Sequence, residues 1–258
     1  MHQLRAIKSS EEIKMLQKAC DITEAGFRRI LNFVQPGVGE WEIEAEYIHE
    51  FLRSKSKGFA YSPIIGSGKN ACILHYLENN DTCDDGELLL MDVAAEYGNW
   101  NADMTRTIPV NGKFTSRQRA VYDAVLRVLK QANNILRPGI LPSAYHQQVL
   151  SFMETELVQL GLIDESEAKA QDDSKPLVKK YFMHGTSHHL GLDVHDVAPI
   201  DEPVAEGMVF TIEPGIYIPE ENLGIRLENN FLVGKDQNTD LMANIPIEAD
   251  DIEALMSN

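Results

Sequence analysis

Four acidic residues and one histidine stand beside apolar stretches of this chain, where their charges would be costly. Asp92 and Asp103 lie in LLLMDVAAEYGNWNADMTRT, His188 in HGTSHHLG, Glu213 in TIEPG and Glu228 in IRLEN. An ionised carboxylate that is buried without a partner costs on the order of several kcal/mol. A bound cation would remove that cost, so these residues predict a metal site.

The spacing of the first two acids predicts a β-hairpin. Asp92 and Asp103 are equidistant from a turn between Tyr97 and Gly98, as two residues facing each other across a hairpin would be. Facing residues lie on one side of the sheet with Cβ atoms roughly 5 Å apart. Two carboxylates at that distance repel each other unless a cation lies between them.

The second pair of acids repeats this arrangement. Glu213 and Glu228 are equidistant from the midpoint of positions 220 and 221 in FTIEPGIYIPEENLGIRLENNFLV. A second hairpin would bring two more carboxylates face to face, although its longer loop fixes the register less strongly.

Amphipathic helices precede each hairpin and must position it. Ser9 or Ser10 is the predicted N-cap of the first helix, and Pro36 and Gly37 follow its end. The order of two helices and then paired acids occurs twice, which indicates two related halves. The predicted helices span Ser10 to Phe33, Trp41 to Ser54, Ser116 to Leu136 and Ser143 to Gly161.

Composition excludes several classes of function. The 258 residues, 43% of them hydrophobic, can bury a sizeable core and predict one globular unit. A formal net charge of −17 disfavours nucleic acid and anionic membranes as partners, because both are bound chiefly through Lys and Arg. The three cysteines have no C-x-x-C spacing, and no apolar run has the length of a membrane span. These features predict a soluble, cytoplasmic protein.

Three motifs resemble those of the aminopeptidase P and proline dipeptidase family of metallopeptidases. The resemblance runs from about Arg5 to Met256, and its motifs are HGTSHHLGLDVHD, MDVAAEYGNWNADMTRT and TIEPG with IRLEN. It implies an α+β pita-bread fold, in which two pseudo-symmetric halves share a central antiparallel sheet backed by helices. Residues 1–258 would form a single catalytic domain, without the N-terminal domain that family members usually carry.

The resemblance also implies a role for each candidate ligand. Asp92 matches a ligand of one metal ion, Asp103 and Glu228 match carboxylates that bridge two ions, and His188 and Glu213 complete the second. Two divalent ions would then activate a bridging hydroxide, with Glu213 as general base. The carboxylate-rich ligand set favours manganese, followed by cobalt, iron or zinc.

Other residues match family positions around the substrate. His75, His184 and His195 would line the cleft and hydrogen-bond the peptide or the developing oxyanion. Arg226 and Tyr61 would support the ligands, although a structural ion pair and a core aromatic are the ordinary alternatives. His189 stands where the aminopeptidases often have a bulky aromatic residue. The remaining histidines, His2, His49 and His146, are predicted to face solvent.

The implied activity is an Xaa-Pro aminopeptidase, acting on peptides with proline at the second position. A proline dipeptidase is the nearest alternative, because one sequence does not measure how long a peptide the cleft accepts. Methionine aminopeptidase ranks third, since its motif surroundings differ. A non-catalytic binding protein of the same fold is disfavoured by the presence of all five ligands. A homo-oligomer remains possible in this interpretation.

Overall fold

The computed structural model describes residues 2–172, 175–199 and 201–257. A short helix α1 and two long helices, α2 and α3, begin the chain. Ser9 caps α2 in a capping box with Glu12, as the sequence predicts. Gly26 of α2 lets α3 approach closely, since a Cβ there would lie 2.7 Å from the ring of Phe51. The three helices span His2–Ala6, Ser10–Leu31 and Glu40–Arg53.

The strands of the first half form small antiparallel ladders. Strand β2 lies between β1 and β5, and β3 pairs with β4 at the tip of the hairpin. A 3₁₀ helix at Gly68–Cys72 follows β1. The strands span Ile64–Ser67 (β1), Leu88–Asp92 (β2), Glu96–Tyr97 (β3), Trp100–Asn101 (β4) and Thr105–Pro109 (β5).

The second half repeats this order of helices and hairpins. Helices α4 (Ser116–Ile135) and α5 (Pro142–Gln159) pack together, and a short helix α6 (Glu165–Ala170) follows. Strand β9 pairs with both β6 and β10, and β7 pairs with β8. Short 3₁₀ helices lie at Leu177–Lys180 and Pro219–Glu221. The remaining elements are Val209–Ile212 (β6), Gly215–Ile218 (β7), Leu223–Arg226 (β8), Asn229–Leu232 (β9), Thr239–Asp240 (β10) and Ala249–Met256 (α7).

The first hairpin has a register that differs from the predicted one. Asp92 pairs with Thr105, so the turn is centred between Gly98 and Asn99, one position later than predicted. Gly98 and Asn99 both have positive φ, at 61° and 69°, as a two-residue type I′ turn requires. The prediction that Asp92 faces Asp103 is therefore wrong. Asp103 is two residues from the partner of Asp92, so both carboxylates still lie on one side of the hairpin.

The second hairpin has the predicted register. Ile212 pairs with Asn229 and Gly215 pairs with Arg226, which places Glu213 opposite Glu228. The prediction for this pair is confirmed despite the longer loop, because one continuous register runs through both ladders.

Buried polar contacts join the two hairpins. The Arg106 side chain is fully buried and donates to the Glu228 carbonyl at 2.7 Å and the Asn229 side chain at 2.7 Å. The Glu228 amide in turn donates to the Thr105 carbonyl at 3.1 Å. One hydrophobic core includes residues of both halves, from Ala6 to Ile252. Within the described ranges, no helix combines the length and apolar character needed to cross a bilayer.

Candidate metal centre

The two hairpins meet at a cavity of ≈ 310 Å³. Every ligand and catalytic residue predicted from the sequence lines it, together with a few neutral neighbours. The lining residues are Leu74, His75, Asp92, Asp103, His184, Gly185, Ser187, His188, His195, Glu213, Arg226 and Glu228. The structure thus brings together residues that are up to 153 positions apart, from His75 to Glu228.

Three of the predicted ligands form the tightest group. Each of Asp103, His188 and Glu228 offers one ligand atom, and these atoms all lie within 4.8 Å of one another. Glu213 is close to this group, with Oε1 at 3.6 Å from His188 Nε2. The two halves therefore both supply donors to one small volume.

The predicted histidine ligand is held in an orientation that suits metal binding. His188 Nδ1 donates to the His189 carbonyl at 3.0 Å, which leaves Nε2 facing Asp103 Oδ2 at 3.2 Å. Thr211, which is fully buried, accepts from the His188 amide at 3.1 Å. Burial opposes a charge on this ring, but the hydrogen bond and attraction of Asp103, with Glu213, raise the pKa of His188 to about 9. The ring is thus in strong contact with negative charge.

Asn230 fixes the backbone of Asp103, a role that no sequence motif indicated. Its side-chain oxygen accepts from the Asp103 amide at 3.1 Å, and its Nδ2 donates to the Asp103 carbonyl at 2.6 Å. Asn230 is itself fully buried on β9. This pair of hydrogen bonds holds the Asp103 backbone of the first hairpin against the second.

Asp92 lines the cavity and accepts hydrogen bonds from one neutral donor and one cationic donor. Tyr61 donates its hydroxyl to Oδ1 at 2.6 Å, and Arg226 donates to Oδ2 at 2.7 Å. Burial raises the pKa of Asp92, Arg226 lowers it and Asp103 raises it again, with a net upward shift. The contacts of Tyr61 and Arg226 match the supporting positions predicted for them.

Arg226 also connects the ligands through residues that the sequence did not single out. Its Nε donates to the Thr105 hydroxyl at 3.0 Å, and that hydroxyl donates to Glu228 Oε2 at 2.8 Å. On the other side, Arg226 donates to the Tyr217 hydroxyl at 2.8 Å. Arg226 and Glu228 are two positions apart, and residues at that spacing in a strand share one face. The partners from distant strands could not be deduced from that spacing.

Glu228 gives the most direct test of whether a cation fits here. Its Oε1 atom is buried and has no hydrogen-bond partner among the described residues. Burial raises the pKa of Glu228 well above its usual range, and the charges of Asp103, Glu213 and Asp92 raise it further. An unpartnered carboxylate oxygen amid other carboxylates is poorly stabilised by protein alone. The donors therefore fit a hard divalent cation.

Glu213 and His184 lie side by side and have opposite pKa shifts. Burial, opposed by His188 and reinforced by Asp103, raises the pKa of Glu213 to about 7. Burial and the charge of Arg226 lower the pKa of His184 to about 3, so this imidazole is neutral near pH 7. His184 Nδ1 donates to the Gly185 carbonyl at 2.8 Å, and Nε2 accepts from the Tyr217 hydroxyl at 2.9 Å. The Arg226 hydrogen-bond chain thus extends to His184.

His75 and His195 border the opening of the cavity. The rings of His195 and His188 are in edge contact, with centroids 4.3 Å apart. Burial and the neighbouring His188 lower the pKa of His195. Both His75 and His195 also line an adjoining cavity of ≈ 450 Å³, whose walls include the apolar residues Leu77 and Val194. The cleft therefore continues past the carboxylate group.

His146 and His189 are both half-buried. His146 is wrongly predicted to face solvent, because it is half-buried and bonds the Thr186 hydroxyl at 2.8 Å. An amphipathic helix does not reveal which of its polar residues a distant loop will cover. The ring of His189 packs on Phe210, with centroids 4.1 Å apart, and burial lowers its pKa to about 4.

Comparisons with known proteins agree with this geometry. The model of metallopeptidase family M24 matches residues 14–235. The Xaa-Pro aminopeptidases of Escherichia coli K12 and Haemophilus influenzae are 41% and 38% identical to this chain, over 99% and 100% of it. The chain spans 60% and 62% of the length of these two relatives.

Solved structures give the same result for the fold. Zinc-substituted E. coli aminopeptidase P in complex with product superposes with a TM-score of 0.92 at 40% identity, covering 99% of this chain and 60% of that one. Proline aminopeptidase P II from Yersinia pestis superposes with a TM-score of 0.90 at 39% identity, covering 99% and 61%. The predicted α+β pita-bread fold is confirmed by these likenesses.

Proposed function

This chain belongs to metallopeptidase family M24, and from that membership we propose that it is a metal-dependent exopeptidase. Its substrates would be peptides with proline at the second position, from which it releases the first residue. The observation that carries this proposal is the convergence of the five predicted ligand side chains from both halves on one cavity. The names of the relatives, Xaa-Pro aminopeptidase, support the choice of substrate.

We propose that Asp92, Asp103, His188, Glu213 and Glu228 hold two divalent cations. Asp103 and Glu228 would be shared by both ions, which fits their place in the tightest donor group. The oxygen-rich donor set favours manganese, with cobalt, iron or zinc as alternatives. When bound, such ions polarise a carbonyl group and lower the pKa of water.

Glu213 is suited to proton transfer. Its carboxylate lines the cavity with Oε1 at 3.6 Å from His188 Nε2, so a carboxylate is available beside the proposed ions for proton transfer. Its backbone is held by a hydrogen bond from its amide to the Thr186 carbonyl at 2.9 Å. Glu213 would accept a proton from the attacking water and deliver it to the departing amine.

The three cleft histidines would orient the peptide. His75 and His195 lie beside the carboxylates and can donate hydrogen bonds to peptide carbonyl oxygens or to the developing oxyanion. His184 stays neutral, with a pKa of about 3, so it presents an uncharged face next to Glu213. Arg226 would act through Asp92, whose carboxylate it fixes at 2.7 Å.

The shape of the cleft favours an aminopeptidase over a proline dipeptidase. A dipeptide occupies only two residues' length of the cleft, whereas a longer peptide needs space beyond them. Here the cavity that holds the ligands opens into a second one of ≈ 450 Å³. A peptide longer than two residues would therefore have space alongside the carboxylates.

The proposal also covers domain organisation, location, metal and oligomeric state. Residues 1–258 would act as a single catalytic domain in the cytoplasm, using manganese as the physiological metal. Self-association would give a homo-oligomer. Size-exclusion chromatography with light scattering measures the oligomeric state, and metal analysis of protein purified without added metal measures the native ion.

The experiment that tests the proposal is a comparison of peptides. The manganese-loaded chain is incubated with Xaa-Pro-Yaa, Xaa-Pro and Met-Ala-Ser peptides, and products are identified by mass spectrometry. We expect release of the first residue from Xaa-Pro-Yaa, which Glu213→Gln abolishes and Glu11→Gln, an exposed change on α2, leaves intact. Cleavage confined to Xaa-Pro would instead identify a dipeptidase, and cleavage of none would contradict an active peptidase.

A further inference from the structure

The loop that carries His75 has two buried side chains, Tyr76 and Asn79, in an otherwise largely exposed stretch. In residues 73–81, named here the His75 loop, Ile73, His75 and Leu77 are exposed, whereas Tyr76 is 6% exposed. The Tyr76 ring packs in a small apolar cluster beneath the cleft. The other members of that cluster are Ile64, Ala71, Leu90 and Tyr217.

A fully buried glutamate, Glu40, lies under this loop. Glu40 occupies the first turn of α3, is 0% exposed and is distant in sequence from the loop that it contacts. Its carboxylate accepts four hydrogen bonds, all from neutral donors. These come from the Ser67 amide at 2.8 Å, the Asn70 side chain at 3.3 Å, the Tyr76 hydroxyl at 2.8 Å and the Asp81 amide at 2.9 Å.

The four donors come from successive parts of one segment. Ser67 ends β1, Asn70 lies in the 3₁₀ helix, and Tyr76 and Asp81 belong to the His75 loop. The Glu40 amide also donates to the Asp81 carbonyl at 3.0 Å. A buried carboxylate must be satisfied by such donors, so burial of Glu40 and the path of this segment are mutually dependent.

Asn79 fixes the far end of the His75 loop, whereas Tyr76 is the buried residue at its centre. Asn79 accepts from the Ile65 amide at 2.9 Å and donates to the Pro63 carbonyl at 3.0 Å. Between the 3₁₀ helix and Asn79, Tyr76 supplies the buried anchor, one residue from His75. The position of the buried Tyr76 ring therefore constrains the backbone of His75 and, with it, the position of the His75 imidazole.

We propose that Glu40 is a positioning residue that acts through Tyr76 to hold His75 at the cleft. The inference rests on the proposed function for the meaning of His75, whereas the anchoring itself is independent of it. Burial and the hydrogen bond to Glu40 raise the pKa of Tyr76 to about 12, so the hydroxyl remains a donor over the working pH range.

The first part of the test measures the loop without relying on catalysis. Tyr76→Phe removes one hydroxyl and keeps the ring in its apolar cluster. The matched control is Tyr122→Phe, which removes a buried hydroxyl that donates to the Ile247 carbonyl at 2.8 Å. Amide hydrogen exchange of residues 73–80 is followed by mass spectrometry in both variants.

We expect exchange in the His75 loop to become about 10-fold faster or more in Tyr76→Phe, because hydrogen bonds to charged groups are the stronger ones. Glu40→Gln should have a similar effect, since the amide adds a donor where four donors already point. Tyr122→Phe should leave exchange in this loop unchanged. Unchanged exchange in both Tyr76→Phe and Glu40→Gln would overturn the proposal.

The second part links the anchor to His75 by a double-mutant cycle on the manganese-loaded chain. Tyr76→Phe should lower kcat/KM for Xaa-Pro-Yaa, and His75→Ala should lower it further. In the double variant, Tyr76→Phe should add less than a 2-fold loss to that of His75→Ala. Losses that multiply would overturn action through His75. If the chain cleaves no peptide, the proposed function fails, and the exchange result still decides whether Glu40 and Tyr76 anchor the loop.

Discussion

Replacing Thr105 by valine should weaken metal binding, although Thr105 is not itself a proposed ligand. The hydroxyl is fully buried, accepts from Arg226 Nε at 3.0 Å and donates to Glu228 Oε2 at 2.8 Å. Valine keeps the shape of threonine and removes both hydrogen bonds. Each bond involves a charged partner and is worth about 1.5 to 3 kcal/mol, partly recovered because Arg226 keeps other acceptors. We therefore expect a loss of about 2 to 4 kcal/mol in the free energy of unfolding.

The effect on the metal separates this role from simple packing. Loss of a group that orients a ligand commonly lowers metal affinity by about 10- to 100-fold. Thr23→Val is the matched control, because Thr23 is also fully buried, donates to the Ala19 carbonyl at 2.9 Å and accepts from the Ala95 amide at 3.0 Å. Calorimetric titration with Mn²⁺ and urea denaturation should show both variants destabilised but only Thr105→Val weakened in affinity. Equal Mn²⁺ affinity in Thr105→Val and the unchanged chain would refute the reasoning.

Three other changes have defined expectations. Asp103→Asn should abolish peptidase activity and the rise in melting temperature that Mn²⁺ produces, because it removes a carboxylate proposed to bind both ions. Differential scanning calorimetry with and without Mn²⁺ measures this rise, and an unchanged rise would exclude Asp103 as a ligand. Burial and the charge of Lys179 lower the pKa of His146 in the folded chain. Below about pH 6.5 this histidine is therefore protonated more readily in the unfolded chain than in the folded one, and the free energy of unfolding falls as pH falls. His146→Gln should lessen that fall between pH 7 and 5 in urea titrations, and an unchanged slope would exclude this histidine as a source. Gly26→Ala should cost about 1 to 3 kcal/mol in the same measurement, because its Cβ would meet the aromatic rings of α3; no loss would mean that these rings move aside freely.

The four long helices of this fold, α2 to α5, were predictable because their patterns are local. The N-cap prediction at Ser9 or Ser10 and the apolar periodicity of α2 place that helix correctly, within two residues of its observed end at Leu31. The register of the second hairpin was also predictable, since Glu213 and Glu228 are symmetric about its turn. The first register was missed by one position, because Gly98 and Asn99 both adopt the left-handed conformation and move the turn centre.

The supporting contacts of the site were beyond prediction for a different reason. Thr105, Tyr217 and Asn230 have no motif of their own, and their roles depend on which strands lie next to one another. Glu40 directly precedes the predicted second helix and was not singled out, yet it is fully buried among four donors from another segment. Long-range pairing of this kind is fixed by tertiary structure and leaves no periodic trace in the sequence.

Titration of peptidase activity with manganese tests directly whether the chain is a peptidase that needs two metal ions. Metal-free chain is given increasing equivalents of Mn²⁺, and release of the first residue from an Xaa-Pro-Yaa peptide is measured beside bound metal. We predict two ions per chain at saturation and activity that reaches its plateau as the second site fills. No bound metal at saturating Mn²⁺ concentration, or no cleavage of the peptide, would contradict a metal-dependent peptidase.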